Sequence, residues 1–240
     1  TTSSALLFNF HGNGGTASAH LRTADMRTLS EQDAVILVYP QGLAGSGSST
    51  EWNAYRGTDN KSNTDDFGFT ESLIADIKTR YNIDENRIYA TGYSNGAFFA
   101  YALACFKSNL IAAIGSVSGT MMENTSNNCQ ATHPTAMINI HGTSDSVLPY
   151  NGGALGYESI PRVLDFWIQH NQITTPVVIT TTNENGVSVE RKSYNNNQIA
   201  VEHYKVSDGG HVWFNMTVNG LNTNQIIWNF LMQYNQSGQI

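Results

Sequence analysis

Three residues of the types needed for acyl transfer stand far apart in this chain: Ser94 in TGYSNGAFFA, Asp145 in HGTSDSVLPY and His211 in SDGGHVWF. A serine hydroxyl attacks poorly unless a turn presents it and a base removes its proton. Gly92 and Gly96 bracket Ser94, with a strand-like run before it (RIYA, 87–90) and a helix-like run after it (AFFAYALAC, 97–105). Gly-x-Ser-x-Gly between a strand and a helix is the pattern of a nucleophile elbow, where small neighbours let the two elements approach. Outside that setting the pentapeptide is a chance event in a chain with 21 glycines.

The base must be a histidine able to reach Ser94, and seven compete. In elbow hydrolases the chain order is nucleophile, acid, histidine, and His211 is the one late enough beside a suitable loop. Gly209 and Gly210 are expected to give that loop the freedom to carry the ring over the sheet. Asp145 follows a strand-like run and fits the order for the acid that orients the imidazole. Asp208 is too near His211 in sequence, and Asp165 falls inside a helix; a plain turn-forming role is the competing reading of Asp145. The oxyanion needs two backbone donors. One is expected from Asn95, directly after the serine, and the other from HGNGG, with Asn13 ahead of Gly12 and Gly14. His11 and Tyr93 flank these positions as candidate substrate contacts, although His11 also suits a loop-shaping role. HGNGG lacks the Lys-Ser/Thr of a phosphate loop. Metal binding through His11, His141 and Asp145 is conceivable, but the cysteines are not clustered beside them, so neither metal nor cofactor is expected.

These residues need a rigid frame. The 240 residues, 40% apolar and 10% aromatic, suffice for one α/β domain spanning 1–240. Apolar runs at 5–10, 34–40, 87–92, 112–118 and 135–141 read as buried parallel strands. They alternate with helical stretches at 18–32, 65–81, 95–106, 157–171 and 223–234. In 65–81, Phe69, Leu73, Ile74 and Ile77 form the expected apolar stripe. Segments 187–194 and 198–206 flank an Asn-rich turn and read as a hairpin whose second strand joins the sheet in parallel and whose first is its antiparallel edge. GLAGSGSST (42–50) is the one flexible-looking insert.

A net charge of −7 with scattered basic residues argues against nucleic-acid and anionic-membrane partners. No apolar run is long enough to cross a bilayer. Cys105 and Cys129 read either as two buried thiols or as a disulfide; the disulfide is expected, because both fall at one end of the sheet. Low charge and abundant Asn, Ser and Thr point to an exported protein.

Together HGNGG, YPQG, DDFGF, NRIYATGYSNGAFFA, INIHGTSDSVLPYNGG and DGGHVWF resemble the polyhydroxybutyrate depolymerase-like esterases, relatives of feruloyl and acetylxylan esterases. The resemblance implies an α/β-hydrolase fold with a mostly parallel sheet flanked by helices, a secreted or periplasmic setting and metal-free ester hydrolysis. It implies roles for Ser94, Asp145 and His211 as nucleophile, acid and base, and for Asn13 and Asn95 as oxyanion donors. Trp213 matches an aromatic beside the site that packs on substrate; a core tryptophan is its other reading. The chain departs from the family in having Asn13 where cysteine is common, and in having few residues ahead of the first strand. Either the sheet is shortened at its N-terminal edge or the N-terminus has been cut, and no large lid is expected. The function expected is hydrolysis of short acyl or aryl esters through a Ser-His-Asp triad. A feruloyl or acetylxylan esterase is the alternative, and a hydrolase-fold binding protein without catalysis is the alternative of another class.

Overall fold

Burial on both faces selects parallel pairing for the apolar runs. In the computed structural model, which describes residues 3–44, 49–54, 64–153 and 156–240, the strands are β1 (Ser4–Phe10), β2 (Ile36–Val38), β3 (Ile83–Tyr93), β4 (Ala113–Val117), β5 (Ala136–Gly142), β6 (Val178–Glu184), β7 (Val187–Asn195) and β8 (Ala200–Val206). They form one eight-stranded sheet in the order β2-β1-β3-β4-β5-β8-β7-β6. Six strands are parallel, β7 adds antiparallel to β8, and β6 adds antiparallel to β7. The hairpin read from sequence is present, and its second strand joins β5 in parallel. Its first strand is not the edge: β6 pairs outside it. That strand escapes a periodicity reading because both its faces are largely exposed, so apolar and polar residues do not alternate along it.

The helices are α1 (Ala17–Thr23), α2 (Arg27–Asp33), α3 (Asp66–Arg80), α4 (Asn95–Phe106), α5 (Glu123–Asn127), α6 (Ile160–His170) and α7 (Thr223–Leu231). The expected helix over 18–32 is broken into α1 and α2. The Tyr39 hydroxyl accepts from the Met26 N–H and donates to the Ala24 carbonyl, satisfying the groups that the break frees. In α3 the buried residues are Phe67, Thr70, Ile74 and Ile77, with Asp66 at the helix start. Phe69 instead turns outward, 41% exposed, over the face of Trp52. Pro161 sits in the first turn of α6, where its missing N–H costs nothing. Every residue of α4 is buried, as expected for a helix apolar all round and packed on β1, β3 and β4. Phe99, Tyr101 and Leu103 each contribute roughly 1.5–3 kcal/mol by leaving water. Cys105, near the end of α4, is joined to Cys129 by a disulfide. Residues 45–48 of the Gly/Ser insert lie outside the described residues, while Ala44 and Thr50 at its flanks form an antiparallel bridge. Among the described residues no helix is long and apolar enough to cross a membrane.

Buried neutral histidines tie stability to pH. Burial lowers His203 to about 3 and His20 to about 4, against an ordinary value of 6.5. Above pH 6.5 the native and unfolded chains both hold these rings neutral, so stability does not change. Below it the unfolded chain gains protons that the native state refuses, and stability falls by roughly 1.4 kcal/mol per group per pH unit, down to about 4 for His20 and about 3 for His203. The expected outcome is a lower Tm at pH 5 than at pH 7.5 in calorimetric scans. An unchanged or higher Tm at pH 5 contradicts it.

Candidate active site

β1 lies between β2 and β3, so the chain leaves β1 and β3 for strands on opposite sides, and a crevice opens beyond their carboxyl ends. β1 delivers His11 to Gly15 to that crevice, and β3 delivers Ser94. Ser94 has φ 53° and ψ −117°, a strained conformation for a non-glycine residue. The strain turns the chain from β3 directly into α4 and is held by the Ser94 N–H bonded to the Val117 carbonyl at 3.0 Å. Gly92 and Gly96 serve close approach: a Cβ on Gly96 would lie 2.3 Å from the Phe10 carbonyl oxygen, and one on Gly92 would lie 2.5 Å from the Gly96 backbone.

The Ser94 hydroxyl lies 2.9 Å from His211 Nε2, and His211 Nδ1 lies 2.8 Å from Asp145 Oδ2. A carboxylate only accepts, so Nδ1 carries the proton and Nε2 is left to accept from the serine. Asp145 is buried, and its Oδ1 accepts from the N–H groups of Val147 and Leu148 at 2.9 and 2.8 Å. One carboxylate oxygen of Asp145 thus forms the turn while the other meets His211.

The loop after β5 and the loop after β8 are stitched together. The Thr143 N–H donates to Val206, the Ser144 N–H donates to Gly209, and the Asp208 N–H donates to the Thr143 hydroxyl, all at 2.9 Å. Gly142 and Gly209 allow this contact, because a Cβ on Gly142 would meet the Gly209 carbonyl oxygen at 2.1 Å. The freedom expected of Gly209-Gly210 is not what places His211. Neither glycine has a positive φ, and Gly209 is wedged against Phe214 and Gly142. The backbone of the histidine is instead held by two hydroxyls. Tyr93 donates to the His211 carbonyl at 2.8 Å, and Ser118 donates to the Val212 carbonyl at 2.7 Å. Tyr93 also lays its ring beside the imidazole, with centroids 5.2 Å apart. Ser118 belongs to no motif, so nothing in the sequence marks it for this role.

Asn13 and Asn95 both line a cavity of about 130 Å3 that opens at Ser94. Among the described residues neither backbone N–H has an acceptor. The Asn95 side chain works elsewhere. Its amide accepts from the Trp52 N–H at 2.7 Å and donates to the Trp52 carbonyl at 3.0 Å. Trp52 is thereby pinned as one wall of the cavity, with Phe98, Met122, Leu148 and Tyr157. His11 is turned to the backbone. Its ring is buried, Nδ1 donates to the Gly12 carbonyl and Nε2 accepts from the Gly42 N–H, so it fixes two loops. Burial outweighs its partners and lowers its pKa.

On the other side of Ser94 a groove of about 380 Å3 runs past Gly12, Tyr93 and Val212 to Trp213. Trp213 is half-buried, edge-on to His20, with its Nε1–H donated to Asn224. Beyond it a second hollow shares Trp213 and Thr23 and adds Asn215, Asn222 and Asn224. Among the described residues no lysine, arginine or carboxylate lines either part.

The profile of a family described as phospholipase/carboxylesterase matches residues 2–176. Over 147 residues the chain is 32% identical to a bifunctional acetylxylan esterase/xylanase of Neocallimastix patriciarum, covering 61% of this chain and 20% of that protein. Over 154 residues it is 29% identical to a probable feruloyl esterase C of Aspergillus flavus, covering 62% of this chain and 51% of that protein. The chain thus spans from a fifth to about half of these curated relatives. Among solved structures, an acetyl xylan esterase from Aspergillus awamori superposes with a TM-score of 0.69 at 17% identity, covering 96% of this chain and 90% of that one. A Bacillus cereus carboxylesterase superposes with a TM-score of 0.59 at 17% identity, covering 97% and 89%. The fold these share with the chain is the α/β-hydrolase fold.

Proposed function

The chain belongs to the phospholipase/carboxylesterase family, and from that premise we propose that it is a serine carboxylesterase whose nucleophile, base and acid are Ser94, His211 and Asp145. The observation that carries this reading is the continuous relay Ser94 Oγ–His211 Nε2, His211 Nδ1–Asp145 Oδ2, at 2.9 and 2.8 Å. His211 takes the Ser94 proton as Oγ bonds to the ester carbonyl carbon. The N–H groups of Asn13 and Asn95 receive the oxyanion, helped by the positive end of α4. The tetrahedral adduct collapses, the C–O bond to the alcohol breaks, and His211 returns its proton to the departing oxygen. Water, deprotonated by His211, then attacks the acyl-enzyme and releases the acid while Ser94 recovers its proton. The apolar cavity beside Trp52 takes a small acyl group, and the groove toward Trp213 takes the alcohol. The described residues act as one catalytic domain. The disulfide favours an oxidising compartment, hence a secreted or periplasmic protein.

A second reading, an esterase of feruloylated or acetylated cell-wall glycans, is favoured by the uncharged groove with its tryptophan and asparagine side chains, which suits a sugar alcohol, and by the names of the curated relatives. A polyhydroxybutyrate depolymerase-like preference rests on motif resemblance. Rates on methyl ferulate, acetylated xylan and hydroxybutyrate oligomers separate the three.

Labelling tests the reading as a whole. A fluorophosphonate should add one phosphonyl group, found by peptide mass spectrometry on Ser94, in step with loss of p-nitrophenyl butyrate hydrolysis. A hydrolytically silent chain that does not label is a hydrolase-fold binding protein instead.

A further inference from the structure

The acid of the relay is touched by a second histidine. His141, near the end of β5, places Nε2 at 2.9 Å from the Leu148 carbonyl oxygen and 3.3 Å from Asp145 Oδ2, with both side chains wholly buried. A carbonyl oxygen only accepts, so the proton must sit on His141 Nε2, which donates it to Leu148 and stands close beside the carboxylate. Oδ2 of Asp145 therefore lies between two imidazole N–H groups, His211 Nδ1 at 2.8 Å and His141 Nε2 at 3.3 Å. Oδ1 is already held by the Val147 and Leu148 N–H groups.

We propose that His141 is a positioning residue, a neutral second imidazole whose Nε2–H, shared between Asp145 Oδ2 and the Leu148 carbonyl, fixes the plane of the acid so that His211 Nδ1 meets it in line. The proposal rests on the Ser94-His211-Asp145 reading above. A space-filling role explains the position less well, because an apolar side chain of similar size would fill it without burying two polar ring nitrogens.

Neutrality matters to this role, because an imidazolium here would compete with His211 for the carboxylate charge. Burial lowers the His141 pKa, more than the Leu148 carbonyl and Asp145 raise it. The other ionisable groups around it are His211 from the loop after β8, His203 from β8, and Tyr150, whose ring lies 6.1 Å from His141 and whose hydroxyl meets His203 Nε2 at 2.8 Å. Lys205 of β8 stands over that tyrosine ring at 5.5 Å, and Lys192 of β7 acts on His203.

Removing the His141 donor makes Oδ2 more basic and free to turn. It then holds the His211 imidazolium more tightly but less squarely, so the acid limb of the rate profile moves to higher pH while turnover drops. The test compares the full chain with His141→Leu and His141→Gln on p-nitrophenyl butyrate from pH 5 to 9. The Gln amide reaches the same place with an N–H. His141→Leu should lower kcat about tenfold, leave KM within about twofold and raise the acid limb by about half a pH unit or more. His141→Gln should restore most of both. An unshifted limb with native kcat in His141→Leu overturns the proposal, as does equal impairment of both variants with no shift. If His141→Leu does not fold, histidine 15N spectra of the unaltered protein decide: Nε2 protonated and Nδ1 bare across this range is expected, and an Nδ1–H tautomer overturns it. Ser94→Ala run alongside separates the two ideas. Retained activity there sinks the triad itself, whereas a dead Ser94→Ala beside an unshifted His141→Leu sinks only the role of His141.

Discussion

Alanine at position 94 is expected to lower kcat on p-nitrophenyl butyrate by about 10^6, down to the background of a water reaction aided only by binding and the oxyanion donors. Among the described residues the side chain of Ser94 makes one polar contact, to His211, so its removal should leave the fold and Tm almost unchanged. Asp145→Asn should cost about 10^4. The asparagine amide can still sit against His211, but it disfavours the tautomer that leaves Nε2 free for Ser94. Under the proposed mechanism the three residues act as one unit, so a chain lacking all three should be no slower than Ser94→Ala alone. Multiplicative losses, or a Ser94→Ala chain that turns over at near the native rate, would remove the basis for the proposed mechanism. Full pH–rate profiles with active-site-titrated enzyme give both answers.

Gly142→Ala is expected to be the most damaging single methyl group between the acid and histidine loops. The added carbon would stand 2.1 Å from the Gly209 carbonyl oxygen and 2.4 Å from its carbonyl carbon, backbone atoms that cannot swing aside as a side chain can. Relief requires the two loops to separate, which strains the Ser144–Gly209 and Thr143–Val206 bonds and moves Asp145 away from His211. Overpacking of this kind should cost about 3 kcal/mol or more of stability. A displacement near 1 Å at the relay should lower kcat/KM by about 100-fold. Gly210→Ala is the control: among the described residues beyond its chain neighbours no atom lies within 4 Å of its added carbon, and its φ is not positive. Its stability should stay within about 0.5 kcal/mol of the parent, with kcat/KM unchanged. Equal effects of the two substitutions in thermal melts and steady-state kinetics would show that loop freedom, not close approach, sets the histidine.

Much of the frame is legible because its signals are local. The helix over 95–106 begins and ends where its composition says it should, since one glycine-bracketed serine starts it and an unbroken apolar run sustains it. Pro161 marks the first turn of α6 for a reason intrinsic to proline. The division of 18–32 into α1 and α2 is different. It depends on the hydroxyl of Tyr39, thirteen residues beyond Met26, arriving to bond the freed backbone groups. Strand β6 is silent in sequence because an edge exposed on both faces imposes no alternation.

The same division runs through the site. The order of Ser94, Asp145 and His211, and the glycines around the serine, follow from residue types and from the rule that parallel strands present their loops at one end. Sequence alone therefore determined which groups arrive at the crevice. It did not determine how they are held. Tyr93 and Ser118 grip the backbone at 211 and 212, Asn95 clasps Trp52, His11 ties two loops, and His141 stands 3.3 Å from the Asp145 carboxylate. Each is a contact between segments brought together only by packing, where direction and distances near 3 Å decide whether a polar side chain bonds backbone, substrate or another side chain. Residue type limits what a group can do, and only the three-dimensional arrangement selects which of those things it does.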